Sequence, residues 1–198
     1  SDSRLVTLHG PAGVGKSRLA QEVAHHVRDR YSEGVWWVDL TVAGDLPEVL
    51  ARLAGTLGVS VPPNASATDV LAAHLHYREL LLVLDNCEHV AGLLPPVLVA
   101  LLKGAAGLRI LATSRLLLDV VGESRWEVPP LPVPVAGADE RSLSASDAVV
   151  LFQQRRSARA DLAGIDSVAD VAELCRRVDG VPLALELMAT KAQRQSVR

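Results

Sequence analysis

Residues 10–17 constrain this chain more than any other stretch. They read Gly-Pro-Ala-Gly-Val-Gly-Lys-Ser, which matches the phosphate-binding pattern G-x-x-x-x-G-K-[ST] at every fixed position. An apolar run at residues 5–8 precedes the pattern, and apolar residues at helical spacing follow it. The sequence therefore predicts a strand, a loop and a helix. Glycines in such a loop can adopt positive φ, so that backbone N–H groups surround a phosphate at the positive end of the helix dipole.

The last two residues of the pattern carry the predicted chemistry. Lys16 is expected to neutralise β- and γ-phosphate oxygens, and the Ser17 hydroxyl is expected to bind Mg²⁺. The alternative is a glycine-rich turn that carries Lys-Ser by chance, and the flanking strand and helix disfavour it. The residues predicted here to contact a bound nucleotide are Gly10, Pro11, Ala12, Gly13, Val14, Gly15, Lys16, Ser17 and Arg18.

A second chemical signal lies at residues 80–86, Leu-Leu-Leu-Val-Leu-Asp-Asn. Five apolar residues in a row predict a strand buried on both faces. The acid that ends this run, Asp85, would emerge where open parallel sheets bind their ligands. Asp85 is therefore predicted to hold the Mg²⁺ hydration shell together with Ser17.

The residues after Asp85 leave water activation open. Many ATPases place a second carboxylate directly after the metal-binding aspartate, but this chain has Asn86, which cannot accept a proton. Glu88 is the nearest acid that could orient an attacking water. The alternative is that Glu88 is a first-turn residue favoured by a helix dipole.

Residues 108–115, Leu-Arg-Ile-Leu-Ala-Thr-Ser-Arg, predict another buried strand that ends in polar side chains. Such a strand delivers its last residues to the same crevice. Arg115 is predicted to contact the γ-phosphate and report its presence, because a guanidinium is always charged and can bind bidentately. The alternative is a solvated arginine that opens a helix over residues 116–120.

The pattern changes near residue 129. Residues 123–128 alternate as an edge strand would, and four prolines then follow within residues 129–134. Proline fixes φ, so these residues predict a stiff connector. The remainder is helical in pattern, with helices expected from about residue 144 to 159, over 168–175 and from residue 182 onward. We therefore expect an α/β domain at residues 1–135 and a helical subdomain at residues 136–198.

Composition limits the partners of this chain. With 20 Lys and Arg against 23 Asp and Glu, its formal charge is −3 and no long basic run occurs, which argues against direct nucleic-acid binding. The two cysteines lie far apart in sequence, outside any metal-ligand spacing, and no apolar stretch is long enough to cross a bilayer. These features predict a cytoplasmic protein without membrane contact. Because the chain opens on a strand and stops inside a helical pattern, we expect it to be a domain of a longer protein.

Four ordered motifs together carry a family resemblance. They are residues 10–17, residues 82–89 (Leu-Val-Leu-Asp-Asn-Cys-Glu-His), residues 110–115 (Ile-Leu-Ala-Thr-Ser-Arg) and residues 179–185 (Asp-Gly-Val-Pro-Leu-Ala-Leu). In this order and spacing the chain resembles the NB-ARC module of the STAND class of signal-transduction ATPases. With a Gly-Glu at residues 122–123 and Val-Pro-Pro-Leu at residues 128–131, it is similar to the version found in actinobacterial LuxR-like and SARP-like transcriptional regulators.

The resemblance implies a fold and a role. The fold would be a P-loop NTPase three-layer sandwich, with a mostly parallel five-stranded sheet and a small C-terminal helical lobe of the ARC1 type. The strand containing Ile110 would lie between the phosphate-loop strand and the strand that ends at Asp85. Pro182 would lie against the adenine or ribose, and Arg115 would act as the sensor.

In the family, ADP holds an inactive state and ATP permits opening and oligomerisation. The resemblance thus also implies DNA-binding, winged-helix or sensor-repeat domains elsewhere in the longer protein. It further implies nucleotide-dependent association into a homo-oligomer.

The sequence leaves three candidate functions. The first is an ATP/ADP switch that hydrolyses ATP slowly with Mg²⁺, using Lys16, Asp85, Arg115 and Glu88. The second is a nucleotide-binding interaction module that stays bound to ADP without turnover, which Asn86 favours. The third is a small-molecule or nucleotide kinase, which is disfavoured because nothing in the sequence resembles an arginine-rich lid.

Overall fold

The computed structural model describes residues 3–156 and 167–194. The chain divides into two compact units, Ser1–Pro11 with Lys16–Val128 and Ala12–Gly15 with Pro129–Arg198. The first unit contains the sheet and the second contains the C-terminal helices. The assignment of separate roles to residues 1–135 and 136–198 stays a prediction.

The first unit is built on a five-stranded sheet in which every pair of neighbouring strands is parallel. The strands are β1 (Leu5–His9), β2 (Val35–Asp39), β3 (Leu80–Asp85), β4 (Leu108–Ser114) and β5 (Glu123–Glu127). Their order across the sheet is β2-β3-β4-β1-β5. The predicted parallel sheet is confirmed, and so is the position of the strand containing Ile110 between the other two motif strands.

Local sequence signals set the ends of the helices in this unit. Asp45 caps the second helix by accepting from the Glu48 backbone N–H at 2.9 Å, and Gly58 ends it at φ 68°. Ser66 caps the third helix in the same way, with the Asp69 N–H at 3.3 Å. The helices are α1 (Lys16–Val27), α2 (Leu46–Leu57), α3 (Ala67–Leu75) and α4 (Leu94–Gly104).

Helices pack on both faces of the sheet. Alternate residues of β3, Leu80, Leu82 and Leu84, belong to the same buried cluster as the apolar residues of α2, α3 and α4. On the opposite face, Leu81 of β3 lines an apolar groove of about 560 Å³ together with Leu19 of α1. All six residues of β3 are buried, so Asp85 is carried on the most buried strand of a three-layer α/β sandwich.

Thr7 on β1 gives the first testable expectation. Its side chain is fully buried, and Oγ1 has no hydrogen-bond partner among the described residues. Because an unsatisfied buried hydroxyl costs free energy, Thr7→Val is expected to raise the free energy of unfolding by about 1 kcal/mol. Thermal unfolding measures this change.

The matched variant Thr113→Val is expected to lower stability, because the Thr113 hydroxyl donates to Asp85 and accepts from the Asn86 N–H. A Thr7→Val protein no more stable than the wild type would contradict this account.

The second unit contains four helices in its described residues. Its core cluster includes the fully buried Phe152, Ala172 and Leu185. The sequence predicted three helices here and missed the first, which Asp139 caps by accepting from the Ser142 N–H at 2.7 Å. The predicted extension to residue 159 falls partly outside the described residues. The helices are α5 (Glu140–Ala145), α6 (Asp147–Arg155), α7 (Val168–Arg177) and α8 (Pro182–Arg194).

A tight corner joins α7 to α8 within this unit. Asp179 and Gly180 both have positive φ, 51° and 66°. The Gly180 N–H donates to the Cys175 carbonyl at 3.0 Å, and the Gly180 carbonyl accepts from the Leu131 N–H at 3.0 Å. The proline-rich connector is therefore fastened by a backbone hydrogen bond to the corner at which α8 begins.

One sequence expectation fails in the described residues. The helix considered over residues 116–120 is wrong, because these residues form a loop in which Asp119 has φ 53°. The Leu116 N–H donates to Ser114 Oγ at 3.0 Å, and the Leu118 N–H donates to Glu123 Oε1 at 3.2 Å, so side chains take the place of helical carbonyls. In the part of the chain that the structure describes, none of the helices has the length and apolarity needed to cross a membrane.

Candidate phosphate and metal site

The loop over residues 10–15 has the backbone conformation that its glycines predicted. Gly10, Gly13 and Gly15 have φ values of 148°, 75° and 101°. Residues with side chains rarely adopt such angles, so these positions require glycine. Helix α1 begins directly after the loop, at Lys16. The N–H groups of its first turn have no partner within the helix, so they remain available to an anion.

Lys16 is folded back over its own loop. Its Nζ donates to the carbonyl oxygens of Gly10 and Pro11, both at 2.9 Å. Partial burial lowers the pKa of Lys16, while the nearby carboxylates of Glu88 and Asp85 act in the opposite direction. The ammonium thus lies among acceptors that a phosphate oxygen can replace, with opposite charges close by.

Ser17 and Asp85 meet although 68 residues separate them. The Ser17 hydroxyl donates to Asp85 Oδ1 at 2.6 Å. The Thr113 hydroxyl, from the end of β4, donates to the same oxygen. Asp85 is only 7% exposed, so this carboxylate is held by two hydroxyl groups in a buried setting. The sequence predicted the first partner; it gave Thr113 no role beyond a polar strand end.

The donor chemistry here fits Mg²⁺. Hydroxyl and carboxylate oxygens are the hard ligands that this ion prefers, and it commonly completes its shell with water and substrate phosphate. The described residues contain no cluster of three or more His, Cys, Asp or Glu side chains able to hold a metal ion without such help. Ser17 and Asp85 therefore supply the kind of oxygen ligands that a nucleotide-bound Mg²⁺ takes.

Glu88 and Arg115 form an ion pair at the ends of neighbouring segments. Arg115 Nε lies 3.2 Å from Glu88 Oε1, and the two side chains are 49% and 14% exposed. The other oxygen, Glu88 Oε2, is buried and has no hydrogen-bond partner among the described residues. Glu88 lies in a short 3-10 turn, Cys87–His89, and not in the first turn of an α-helix. The helix-dipole explanation for Glu88 is therefore weakened.

Asn86 makes more contacts than the sequence suggested. Its Nδ2 lies 2.8 Å from Thr41 Oγ1, 3.3 Å from Asp39 Oδ1 and 3.3 Å from Asp85 Oδ2. Hydrogen bonds from Thr41 hold the pKa of Asp39 below its ordinary value. Sequence reasoning missed Asp39 and Thr41, although Asp39 ends an apolar strand just as Asp85 does.

Arg18 and Pro182 are the remaining residues predicted to contact a nucleotide. Arg18 lies on the exposed side of α1, where Nη2 pairs with Glu22 Oε1 at 3.0 Å. Pro182 is the first residue of α8. The next residue, Leu183, donates its N–H to the Gly13 carbonyl at 3.1 Å within the second unit. Contacts of Arg18 and Pro182 with a nucleotide stay predictions.

Neither cysteine takes part in this chemistry. Both are free and buried. Burial raises the pKa of the Cys87 thiol and raises that of Cys175 to about 11. Both side chains are therefore inert thiols that fill apolar space.

The sequence of this chain is similar to one family model and to several known proteins. The NB-ARC domain family model matches residues 1–155. An uncharacterized protein of Mycobacterium tuberculosis is 39% identical over 96% of this chain, and a putative HTH-type transcriptional regulator of the same organism is 36% identical over 99%. The regulatory protein AfsR of Streptomyces griseus is 30% identical over 92%. The chain spans 46%, 21% and 18% of these three relatives.

The fold is also found among solved structures. A Signal Transduction ATPase with Numerous Domains (STAND) protein with a tetratricopeptide repeat sensor, from Pyrococcus horikoshii, superposes with a TM-score of 0.58. That match covers 99% of this chain and 30% of the other at 14% sequence identity, and so speaks to the fold alone. The family model, the related sequences and the α/β sandwich with its phosphate-binding loop all indicate the same family. The chain belongs to the NB-ARC family of P-loop nucleotide-binding domains.

Proposed function

We propose that this chain is an ATP/ADP-binding switch that hydrolyses ATP slowly with Mg²⁺. The observation that carries the proposal is the 2.6 Å hydrogen bond between Ser17 and Asp85. It brings the hydroxyl of the phosphate loop and the carboxylate of a buried strand together next to Lys16. Bound Mg²⁺ would be held by Ser17 and Asp85 and would supply charge neutralisation for the phosphates.

Lys16 and Arg115 would supply the fixed positive charge. In ATP binding, Lys16 Nζ exchanges the Gly10 and Pro11 carbonyls for β- and γ-phosphate oxygens, which are stronger acceptors. Arg115, half exposed, turns from Glu88 toward the γ-phosphate. Both changes would replace contacts within the chain by contacts with the nucleotide.

Glu88 would orient the attacking water. Its Oε2 is buried and unpartnered among the described residues, which leaves an acceptor for a water proton. Asn86 lies in the position after Asp85 but cannot take a proton. The chain then has one carboxylate for the metal and another, two residues beyond Asn86, for the water.

The relatives suggest the setting in which the switch works. Two of them are named as regulators, and this chain spans only about a fifth of each. We therefore propose that the domain acts in the cytoplasm within a longer regulatory chain that carries DNA-binding, winged-helix or sensor-repeat domains. Exchange of ADP for ATP would change its contacts with those domains and permit self-association, without direct nucleic-acid binding by this domain.

Binding is the first test. Calorimetric titration with ADP and with ATP, each with and without Mg²⁺, is expected to show one site per chain whose affinity rises with the metal. A wild-type chain that binds neither nucleotide in the presence of Mg²⁺ would overturn the proposal. Binding without phosphate release above the background of a Lys16→Ala protein would replace the ATPase by a module that stays bound to ADP, which Asn86 favours.

Glu88→Gln separates hydrolysis from binding. Glutamine keeps the shape of the side chain and removes the proton acceptor, so steady-state phosphate release is expected to fall at least about tenfold. The dissociation constant for Mg·ADP is expected to stay within about threefold of the wild-type value, because Glu88 is not expected to contact ADP.

The matched control for this variant is Glu33→Gln. Glu33 also pairs with an arginine, Arg78, at 2.9 Å, but it lies just before β2, at the opposite end of the strands from Asp85. Phosphate release by Glu33→Gln is expected to equal that of the wild type. Unchanged turnover in Glu88→Gln would remove Glu88 from the reaction.

A further inference from the structure

Two carboxylates stand side by side where β2 and β3 end. Asp39 and Asp85 are partners in the parallel ladder, and each is the last residue of its strand. Like charges at paired positions of neighbouring strands repel each other. Asp85 nevertheless must keep its orientation toward Ser17 if it is to serve a metal ion.

The amide group of Asn86 lies between these carboxylates. Its Nδ2 is 3.3 Å from Asp39 Oδ1 and 3.3 Å from Asp85 Oδ2. The Thr41 hydroxyl donates to Asp39 Oδ1 at 2.5 Å, which leaves its oxygen to accept from Asn86 at 2.8 Å. All the partners of Nδ2 therefore accept, and this fixes which end of the carboxamide faces them.

The backbone of Asn86 also takes part in this hydrogen-bond network. The residue has φ 60° and ψ 49°, a left-handed conformation that asparagine tolerates better than most residues. Its N–H donates to Thr113 Oγ1 at 3.0 Å, and that hydroxyl donates onward to Asp85 Oδ1. Asn86 thus reaches both oxygens of Asp85, one directly and the other through Thr113.

We propose that Asn86 is a positioning residue, whose amide bridges Asp39 and Asp85 and holds Asp85 toward Ser17 for a Mg²⁺-bound nucleotide. This inference rests on the proposed nucleotide-binding function and deepens it. It explains why the position after Asp85 carries no acid: a carboxylate at residue 86 would face two others at about 3.3 Å. Asp39 becomes part of the arrangement, since it supplies the second charge that the amide must bridge.

The test is a double-mutant cycle between residues 39 and 86. Asn86→Asp places three carboxylates together and is expected to reduce, at least about fivefold, the gain in ADP affinity that Mg²⁺ produces. Asp39→Asn in the wild-type background is expected to change this gain less than about threefold, because the amide oxygen that it introduces still accepts from Asn86. The double variant exchanges amide and carboxylate at the same contact, and we expect it to recover most of the loss.

The measured quantity is the ratio of ADP dissociation constants without and with Mg²⁺, obtained by calorimetry. The proposal would be overturned if the fold-reduction of this ratio in the double variant equalled the product of the fold-reductions in the two single variants. Equal losses with and without Mg²⁺ would overturn it as well, because a merely structural role would affect both. Faster phosphate release by Asn86→Asp with an unchanged ratio would mean that residue 86 is a catalytic position lacking its acid, and this too would overturn it.

Two further measurements keep the outcomes distinct. Asp29→Asn removes one carboxylate beyond the C-terminal end of α1, roughly 20 Å along the helix from Lys16. It is expected to leave the ratio of ADP dissociation constants without and with Mg²⁺ unchanged. The same cycle, followed by thermal unfolding without ligand, is expected to show that Asp39→Asn restores stability to Asn86→Asp. Absence of ADP binding by the wild type would overturn the proposed function and the positioning role together, whereas additive binding effects would overturn only the positioning role.

Discussion

Lys16→Ala is expected to weaken the binding of both ADP and ATP at least about 100-fold, which corresponds to about 2.7 kcal/mol. The ammonium group lies at the phosphate loop, partly desolvated, and donates hydrogen bonds to two carbonyl oxygens of that loop. Replacing these by phosphate oxygens creates charge-assisted hydrogen bonds, which are about twice as strong as neutral ones. Alanine removes these bonds and leaves the phosphate charge uncompensated. Calorimetric titration with Mg·ADP measures the loss directly.

A matched control distinguishes this effect from a general loss of positive charge. Lys103 is exposed in the last turn of α4, so Lys103→Ala removes the same charge away from the loop. Its ADP affinity is expected to remain within about twofold of the wild type, since exposed charges are screened by solvent and salt. If Lys16→Ala binds ADP as tightly as Lys103→Ala does, the loop is not the phosphate site and the proposed function fails.

The parts of this site that follow the chain locally were predictable from the sequence. A glycine-rich loop between a strand and a helix prescribes its own backbone, and Gly13 and Gly15 have the positive φ that it requires. An apolar run that ends in an acid places that acid at the carboxyl edge of a parallel sheet, where Asp85 meets Ser17. The order of the strands came from the family resemblance, because alternation and length do not determine which strands are neighbours.

The parts set by strand register were not predictable. Asp39 faces Asp85 only because β2 pairs with β3 at that register, and Thr113 reaches Asp85 only because β4 lies on its other side. No sequence pattern around Asn86 indicates that its amide lies between two carboxylates. The helix considered as an alternative over residues 116–120 fails for a related reason. The N–H groups of Leu116 and Leu118 bond to the side chains of Ser114 and Glu123, which helix propensity does not take into account.

Gly180→Ala is expected to lower the free energy of unfolding by at least about 3 kcal/mol, which corresponds to a fall in the unfolding midpoint of at least about 6 °C. Gly180 is buried at the corner between α7 and α8, with φ 66°. A Cβ at this position would overlap the Leu131 carbonyl oxygen and lie 3.0 Å from a Val133 methyl carbon. A backbone atom cannot move aside as a flexible side chain does, so the alanine must displace the proline-rich connector.

Gly137→Ala is the control that isolates this overlap from backbone strain. Gly137 lies in the same unit with φ 80°, and a Cβ built there meets no heavy atom within 4 Å. It is expected to cost only about 1–2 kcal/mol, the penalty of a left-handed conformation for a residue with a Cβ. The additional loss of unfolding free energy in Gly180→Ala, relative to Gly137→Ala, then measures how much the attachment of the connector at the start of α8 contributes to stability. Equal midpoints for the two variants would contradict the close approach of Leu131 to Gly180, and with it the hydrogen bond that fastens the connector there.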